Sequence, residues 1–369
     1  MTATAHTLYG TEFSLYTGKA RSYLRYKGIP YREVLSTLNV YRKVIRPGTG
    51  VSMIPVVRTP EGELIQDTTD IIDALEARYP ARSVYPDTPA QRLTALLFEL
   101  LGDEWLLIPA MHYRWNFPAE NDRFLMAEFG RIVAPWAPAP LRRLLGRRLA
   151  ARFSGMLPLL GIDERTAPAI EAWYESFLAQ LDAHFAEYPY LLGGRASIGD
   201  FGLMAPLYAH LYRDPAPGRL MRRVAPNVAA WVERMNRTRP EIGDWLPDDA
   251  VPDTLIPILR RQFEEQFPVL ADTAARLAEW LDAHPEAARV PRKIGIHTFR
   301  IGEVEGERGV LPFSLWMAQR PLDYYRGLAG DERAAADRLL ARAGGESAMA
   351  MPLPRRLARR DNRLVPDGA

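Results

Sequence analysis

Apolar residues recur with two different periods along the chain, and the changes between those periods mark out its elements. Residues 6–9 form a short β-prone run closed by Gly10, which predicts a first strand. Over 14–27, Leu15, Tyr23 and Leu24 fall near helical spacing, and Gly28 stands where a helix is expected to stop. Residues 29–35 read as a second strand with Pro30 at its beginning, where proline is tolerated. Residues 54–58 and 63–65 read as two further strands around the turn Thr59-Pro60-Glu61-Gly62. Over 68–79, Ile71, Ile72 and Leu75 restore the helical period, and Pro80 ends it.

The resulting order, βαβ and then ββα, is the plan of a thioredoxin-like domain, and we assign it to residues 1–82. Residues 88–246 carry helical patterns and no strand-like run of length, which predicts an all-helical second domain. Within it, Ser197-Ile198-Gly199-Asp200 is arranged like a capping box with aspartate in place of glutamate. Phe201, Met204, Leu207, Tyr208 and Leu211 follow as a buried stripe. Residues 118–160 are long and basic. There Leu141, Leu144, Leu145, Leu149 and Phe153 are expected on one helix face, surrounded by Arg142, Arg143, Arg147, Arg148 and Arg152. Such a helix ordinarily packs on its own domain, and the same pattern suits contact with an anionic membrane or with a partner.

Residues 247–369 predict a third region, an α+β extension without a recognisable motif. Residues 251–284 read as helix, and 294–301 with 310–316 as a hairpin joined across 302–306. Residues 321–328 and 331–343 read as helices, the last ending at Gly344-Gly345. The run Arg355-Arg356 and Arg359-Arg360 is expected to be a disordered basic tail.

Composition narrows the chemistry. A formal net charge of +2 over 369 residues gives no strong field toward nucleic acid, and none is expected as a partner. The absence of cysteine excludes disulfides, thiolate-bound metals, iron–sulfur clusters and a thiol nucleophile supplied by the protein. The six histidines show no metal-ligand spacing, and neither G-x-G-x-x-G nor a P-loop occurs, so no metal is expected. The opening MTATAHTLYG lacks the basic flank and apolar core of a secretory leader. No apolar run approaches the roughly 18–20 residues that span a bilayer, which makes a cytoplasmic location the expectation.

Several segments carry a resemblance. TLYGTEFSLYTGKARSYLRYKGIPYREV resembles the opening of glutathione S-transferases, and GVSMIPVVRTPEGELIQDTTDIIDALEARYP resembles the rest of their glutathione-binding domain. EYPYLLGGRASIGDFGLMAPLYAHL and APNVAAWVERMNRTRP resemble a capped helix and a closing helix of their helical domain. The resemblance implies a glutathione co-substrate, a homodimer and a small hydrophobic electrophile. Ile54-Pro55 sits where the family has a cis-proline, and Asp67-Thr68 where it has an acidic or amide residue followed by serine at a helix start. A helix N-terminus suits the γ-glutamyl carboxylate, with the Thr68 hydroxyl as a further donor and Asp67 for the ammonium group. Arg42, Lys43 and Arg46 are candidates for the glycyl carboxylate.

Glutathione S-transferases need the glutathione thiol ionised, because the thiolate is the nucleophile. Ser14 occupies the place of the serine in serine-type members, although Leu15 replaces the proline that usually follows. Tyr9, at the end of the first strand, is the alternative, and Tyr16 and Thr17 stay open. Trp105, Met111, His112, Tyr113 and Trp115 are candidates for the electrophile pocket, with Tyr208 and Tyr212 as its other wall. The competing function is a non-catalytic relative that keeps the fold as a scaffold and binds partners through its extension.

Overall fold

The computed structural model describes residues 5–367. The leader expectation therefore rests partly on residues outside the described ones. The chain begins with β1 (His6–Gly10), α1 (Leu15–Lys27) and β2 (Tyr31–Leu35). Two short helices follow, α2 (Leu38–Val40) and α3 (Arg46–Thr49), on either side of a π-helical turn at Tyr41–Ile45. Then come β3 (Val56–Arg58), β4 (Leu64–Gln66) and α4 (Thr68–Arg78). The strands form one sheet in the order β2-β1-β3-β4, with β1 and β2 parallel and the other pairs antiparallel. This is the thioredoxin-like plan read from the sequence.

Helices dominate thereafter: α5 (Pro89–Leu100), α6 (Leu107–Trp115), α7 (Pro118–Val133), α8 (Ala139–Ser154), α9 (Ala167–Glu187), α10 (Ile198–Ala209), α11 (Pro215–Val224) and α12 (Pro226–Met235). The extension contributes α13 (Ile256–Ala283), the hairpin β5 (Gly295–Ile301) and β6 (Val304–Val310), and α14 (Pro312–Gly327). It ends with α15 (Gly330–Ala343), α16 (Glu346–Met349), β7 (Leu357–Arg360) and β8 (Arg363–Pro366). The chain divides into two compact units, each assembled from three segments. One takes the residues up to Ser83 with Ala110–Met156 and Leu203–Glu241. The other takes Val84–Pro109, Leu157–Gly202 and everything from Ile242.

In the first unit the two sheet faces are filled by alternate strand residues, as the pleat requires. Tyr9 and Val56 are paired across β1 and β3 and bury against Ile45, with Val40, Tyr41 and Val44 of the α2–α3 segment packed beside them. α7 and α8 lie so close that a Cβ on Gly146 would meet the Met126 carbonyl oxygen at 2.5 Å, and one on Gly130 the Arg142 oxygen at 2.2 Å. That approach turns α8 away from the expected arrangement. Gly146 and Ala150 face inward, while Leu145 and Leu149 are half-buried and Leu141, Leu144 and Phe153 are exposed. Small residues win the inner face because they let the two backbones touch.

In the second unit the extension is stitched to α5. The Asp249 carboxylate accepts from the α5 backbone amides of Ala90 (2.8 Å) and Gln91 (2.9 Å). Its partner residue Gln91 donates from its side chain to the carbonyls of Leu246 and Ala250. At the other end of α5 a π-helical turn (Leu101–Trp105) interrupts the α-helical ladder. Gln262 and Gln266 of α13 donate there to the carbonyls of Leu97 (2.9 Å) and Leu100 (3.3 Å). Asp200 accepts from the Ser197 amide (2.8 Å) and hydroxyl (2.9 Å) and from the Leu191 amide (3.1 Å), so it fixes the start of α10 to the turn before it.

Three expectations for the extension are corrected. The hairpin turns at Gly302-Glu303, so its second strand begins at Val304 instead of residue 310; Gly302, at φ +55°, supplies the tight turn. Residues beyond 310 are helical, because Pro312 opens α14 in a first-turn position where its missing N–H costs nothing. The basic stretch near the end is ordered. Leu357–Arg360 pairs with Arg363–Pro366, and Arg355 and Arg356 bind Asp282 and Asp323.

Candidate functional site

Strand register brings the sequence-predicted residues to one end of the sheet. Tyr9 pairs with Val56, and Val56 with Gln66. One step further along, β1 ends at Gly10, Ile54-Pro55 leads into β3, and Asp67 leaves β4 to open α4. The Ile54-Pro55 bond is cis. Asp67 caps α4, its Oδ1 accepting from the Thr69 amide at 3.0 Å, and it does so at φ +86°. A non-glycine residue held there carries local strain, a feature that gathers at ligand-binding sites. Thr68 is buried and Asp67 half-buried, while Arg42, Lys43 and Arg46 are exposed on and beside the π-helical turn.

Ser14 stands at the N-cap of α1, half-buried, with its Oγ accepting from the Thr17 amide at 3.4 Å. Tyr9 is 5% exposed in the core beneath the π-helical turn, with the Arg58 guanidinium 5.4 Å from its ring centre. The structure thus separates the two candidates by environment: a capping hydroxyl at a helix start and a packed aromatic ring. Tyr16 is half-buried on α1, and Thr17 is buried.

Polar groups that no local pattern signals hold the loop before Ser14. Arg21 is fully buried and grips Glu33 with both ends (2.7 and 2.6 Å); its Nη2 also reaches the Thr11 carbonyl and Glu12. Glu12 accepts a hydrogen bond from the Tyr208 hydroxyl. Burial pushes the Glu12 carboxyl up, but the Arg21 charge and the Tyr208 hydrogen bond outweigh it and leave it below the ordinary carboxylate range. Burial and the same hydrogen bond raise Tyr208 to about 12. Arg114, also buried, binds Asp214 and donates to the carbonyls of Phe13 (3.0 Å) and Ala209 (2.9 Å). A cavity of 230 Å³ opens beside this loop, with Thr11, Glu12, Phe13, Glu33, Glu128 and Arg131 among its walls.

The candidates for an electrophile pocket fall into two sets. Met111, His112 and Tyr113 are buried in the first unit: His112 bonds Asn116 at 2.8 Å, and Tyr113 stacks on Phe117 at 5.1 Å. Trp115 packs on Phe129, and the Tyr212 hydroxyl donates to Glu233. Trp105 belongs to the second unit, where its ring meets Phe299 edge-on at 6.3 Å and lies under the buried Arg308. Burial brings Arg308 down to about 10, against the raising effect of Glu104. Among the described residues no group of three or more His, Asp and Glu side chains is placed to hold a metal ion.

Residues 8–83 match the family model of the glutathione S-transferase N-terminal domain, and residues 156–238 that of the glutathione S-transferase C-terminal domain. No curated protein matches the sequence significantly. Among solved structures, the chain is similar to the β-etherase LigF from Sphingobium sp. strain SYK-6 (18% identity, 63% of this chain and 95% of that one, TM-score 0.44). It is also similar to a glutathione S-transferase from Rhodospirillum rubrum F11 (16%, 67% and 96%, 0.41) and to FzlA from C. crescentus (18%, 68% and 96%, 0.41). Both domain models are matched in order, so residues 8–83 and 156–238 carry the N- and C-terminal domains of the glutathione S-transferase superfamily.

Proposed function

We propose that this chain binds glutathione at the end of its four-stranded sheet and holds the thiol as a thiolate for attack on a small electrophile. The observation that carries the reading is the register that sets Gly10, Pro55 and Asp67 at the ends of neighbouring strands, with α4 starting at Thr68 and α1 capped by Ser14. The γ-glutamyl carboxylate takes the first turn of α4, where backbone amides and the helix dipole favour an anion, and the Thr68 hydroxyl adds a donor. Asp67 receives the ammonium group. Arg42, Lys43 and Arg46, with no carboxylate partner among the described residues, serve the glycyl carboxylate.

Ser14 is the residue we assign to the sulfur. Its Oγ accepts from the α1 backbone, so its own proton stays free to donate to a thiolate at the positive end of the helix. Tyr9 is the weaker assignment because its ring is packed in the core. The electrophile enters the cavity beside Thr11–Phe13, whose loop is fixed by Arg21 and Arg114. The homodimer implied by the family belongs to the same proposal.

Calorimetric titration of glutathione into the wild type and Thr68→Ala tests the reading. Micromolar-to-millimolar binding is expected, weakened about tenfold or more by Thr68→Ala, since a hydrogen bond to a charged group contributes about 1.5–3 kcal/mol. No binding at millimolar glutathione would sink the enzyme and favour the non-catalytic scaffold.

A further inference from the structure

We propose that the α7–α8 hairpin is a docking surface for anionic lipid bilayers, on which the protein rests without crossing. Among the described residues no helix is long and apolar enough to cross a membrane. The hairpin nevertheless turns large apolar side chains outward. Trp136, in the loop between the two helices, is 80% exposed; Leu144 is 60% and Leu141 42% exposed. Leu141, Leu144, Arg148 and Arg152 fall at i, i+3, i+7 and i+11, on the face of α8 opposite the buried Gly146 and Ala150. The inner face is already satisfied by backbone contact with α7, so this outward stripe is left over from packing.

Charge identifies the occupant. Residues 134–156 hold Arg142, Arg143, Arg147, Arg148 and Arg152 and not one acidic residue. Among the described residues Arg143, Arg147, Arg148 and Arg152 have no carboxylate partner. Arginine beside exposed leucine and tryptophan is the combination that lies in a bilayer interface, with guanidinium groups on phosphates, indole at headgroup depth and leucine at the acyl boundary. A second copy of the chain would set the same arginines against each other. Nucleic acid would use the arginines and leave Leu141, Leu144 and Trp136 unexplained.

The test is flotation of the full-length chain with vesicles of phosphatidylcholine alone or mixed with phosphatidylglycerol. Binding is expected only to the mixed vesicles and should weaken as salt is raised. Each interfacial arginine is worth about fivefold, so Arg147→Glu with Arg148→Glu should lower binding roughly thirtyfold or more. Trp136→Ser with Leu144→Ser should lower it about tenfold or more. Unchanged thermal melting of these surface variants shows that they fold. Three results overturn the proposal: no binding to mixed vesicles, equal binding to both kinds, or variants that bind like the wild type. Duplex DNA held as tightly as vesicles, capture of an acidic protein in their place, or self-association abolished by Trp136→Ser would also overturn it.

Discussion

Arg114 and Asp214 form a buried two-pronged ion pair, Nε to Oδ2 at 2.6 Å and Nη2 to Oδ1 at 2.8 Å. The same guanidinium holds the Phe13 carbonyl, so the charge that closes the pair also fixes the loop leading to Ser14. Burial pushes the Asp214 carboxyl up and outweighs the lowering pull of Arg114. Arg114→Met should therefore cost about 3–5 kcal/mol in urea denaturation, because it strands a buried carboxylate. Arg114→Met with Asp214→Leu should recover a large part of that loss. A double variant as unstable as the single one would show that packing, and not the charge pair, carries the effect.

At the thiol site proposed around Ser14, Ser14→Ala should lower glutathione-dependent turnover about tenfold or more and raise the apparent pKa of the bound thiol by about 1–2, read from the ultraviolet absorbance of the thiolate. Tyr9→Phe should leave both nearly unchanged. The reverse pattern would move the role to Tyr9.

Asp249 caps α5 from the far side of the helical domain's sequence, and Thr88, at the N-cap position, makes no side-chain cap of its own. Asp249→Ala should cost about 1–2 kcal/mol, the upper part of the range for a lost cap, since two amides lose their acceptor together. Denaturant unfolding of the variant reads it directly.

His184 gives the fold a pH dependence. Burial lowers it to about 4 despite the Tyr190 carbonyl at 3.3 Å, while Thr254 bonds its other nitrogen at 2.7 Å. The unfolded chain binds a proton near 6.5 and the folded chain only near 4, so stability is complete above 6.5 and falls as the pH drops toward 4. The loss from this residue is roughly 3 kcal/mol. Urea midpoints between neutral pH and pH near 4.5 should fall less steeply for His184→Gln than for the wild type.

The sheet and its flanking helices were readable because their signals are local. Gly28 ends α1 at φ +66°, Ser14 caps it, and the 71, 72 and 75 spacing defines the buried face of α4. Asp200 was readable for the same reason, three residues from the amide it caps. Arg21–Glu33, Arg114–Asp214 and Asp249–Gln91 were not, because polar pairs made across long sequence separations leave no period. Arg114 alone carried a hint, a single cation among the apolar residues of α6. The second strand of the hairpin is hidden because Val304 and Val310 bracket a polar run, EGERG, whose alternate residues are buried while its sequence looks like a loop.

The stitching of α5 sets an order on how the chain is made. The cap for Ala90 lies 159 residues downstream, and the donors to Leu97 and Leu100 lie 165 and 166 residues downstream. At the usual rate of translation those residues emerge about 8–30 s after α5 itself. Through that interval Leu93, Leu97 and Phe98, all fully buried in the finished protein, keep only the cover that earlier segments such as α10 give them, Gly199 lying against Phe98. The contacts that α5 makes with residues 249–266 can form only in the last third of synthesis. A chain that ends before residue 249 lacks both the Asp249 acceptor at the start of α5 and the Gln262 and Gln266 donors at its end.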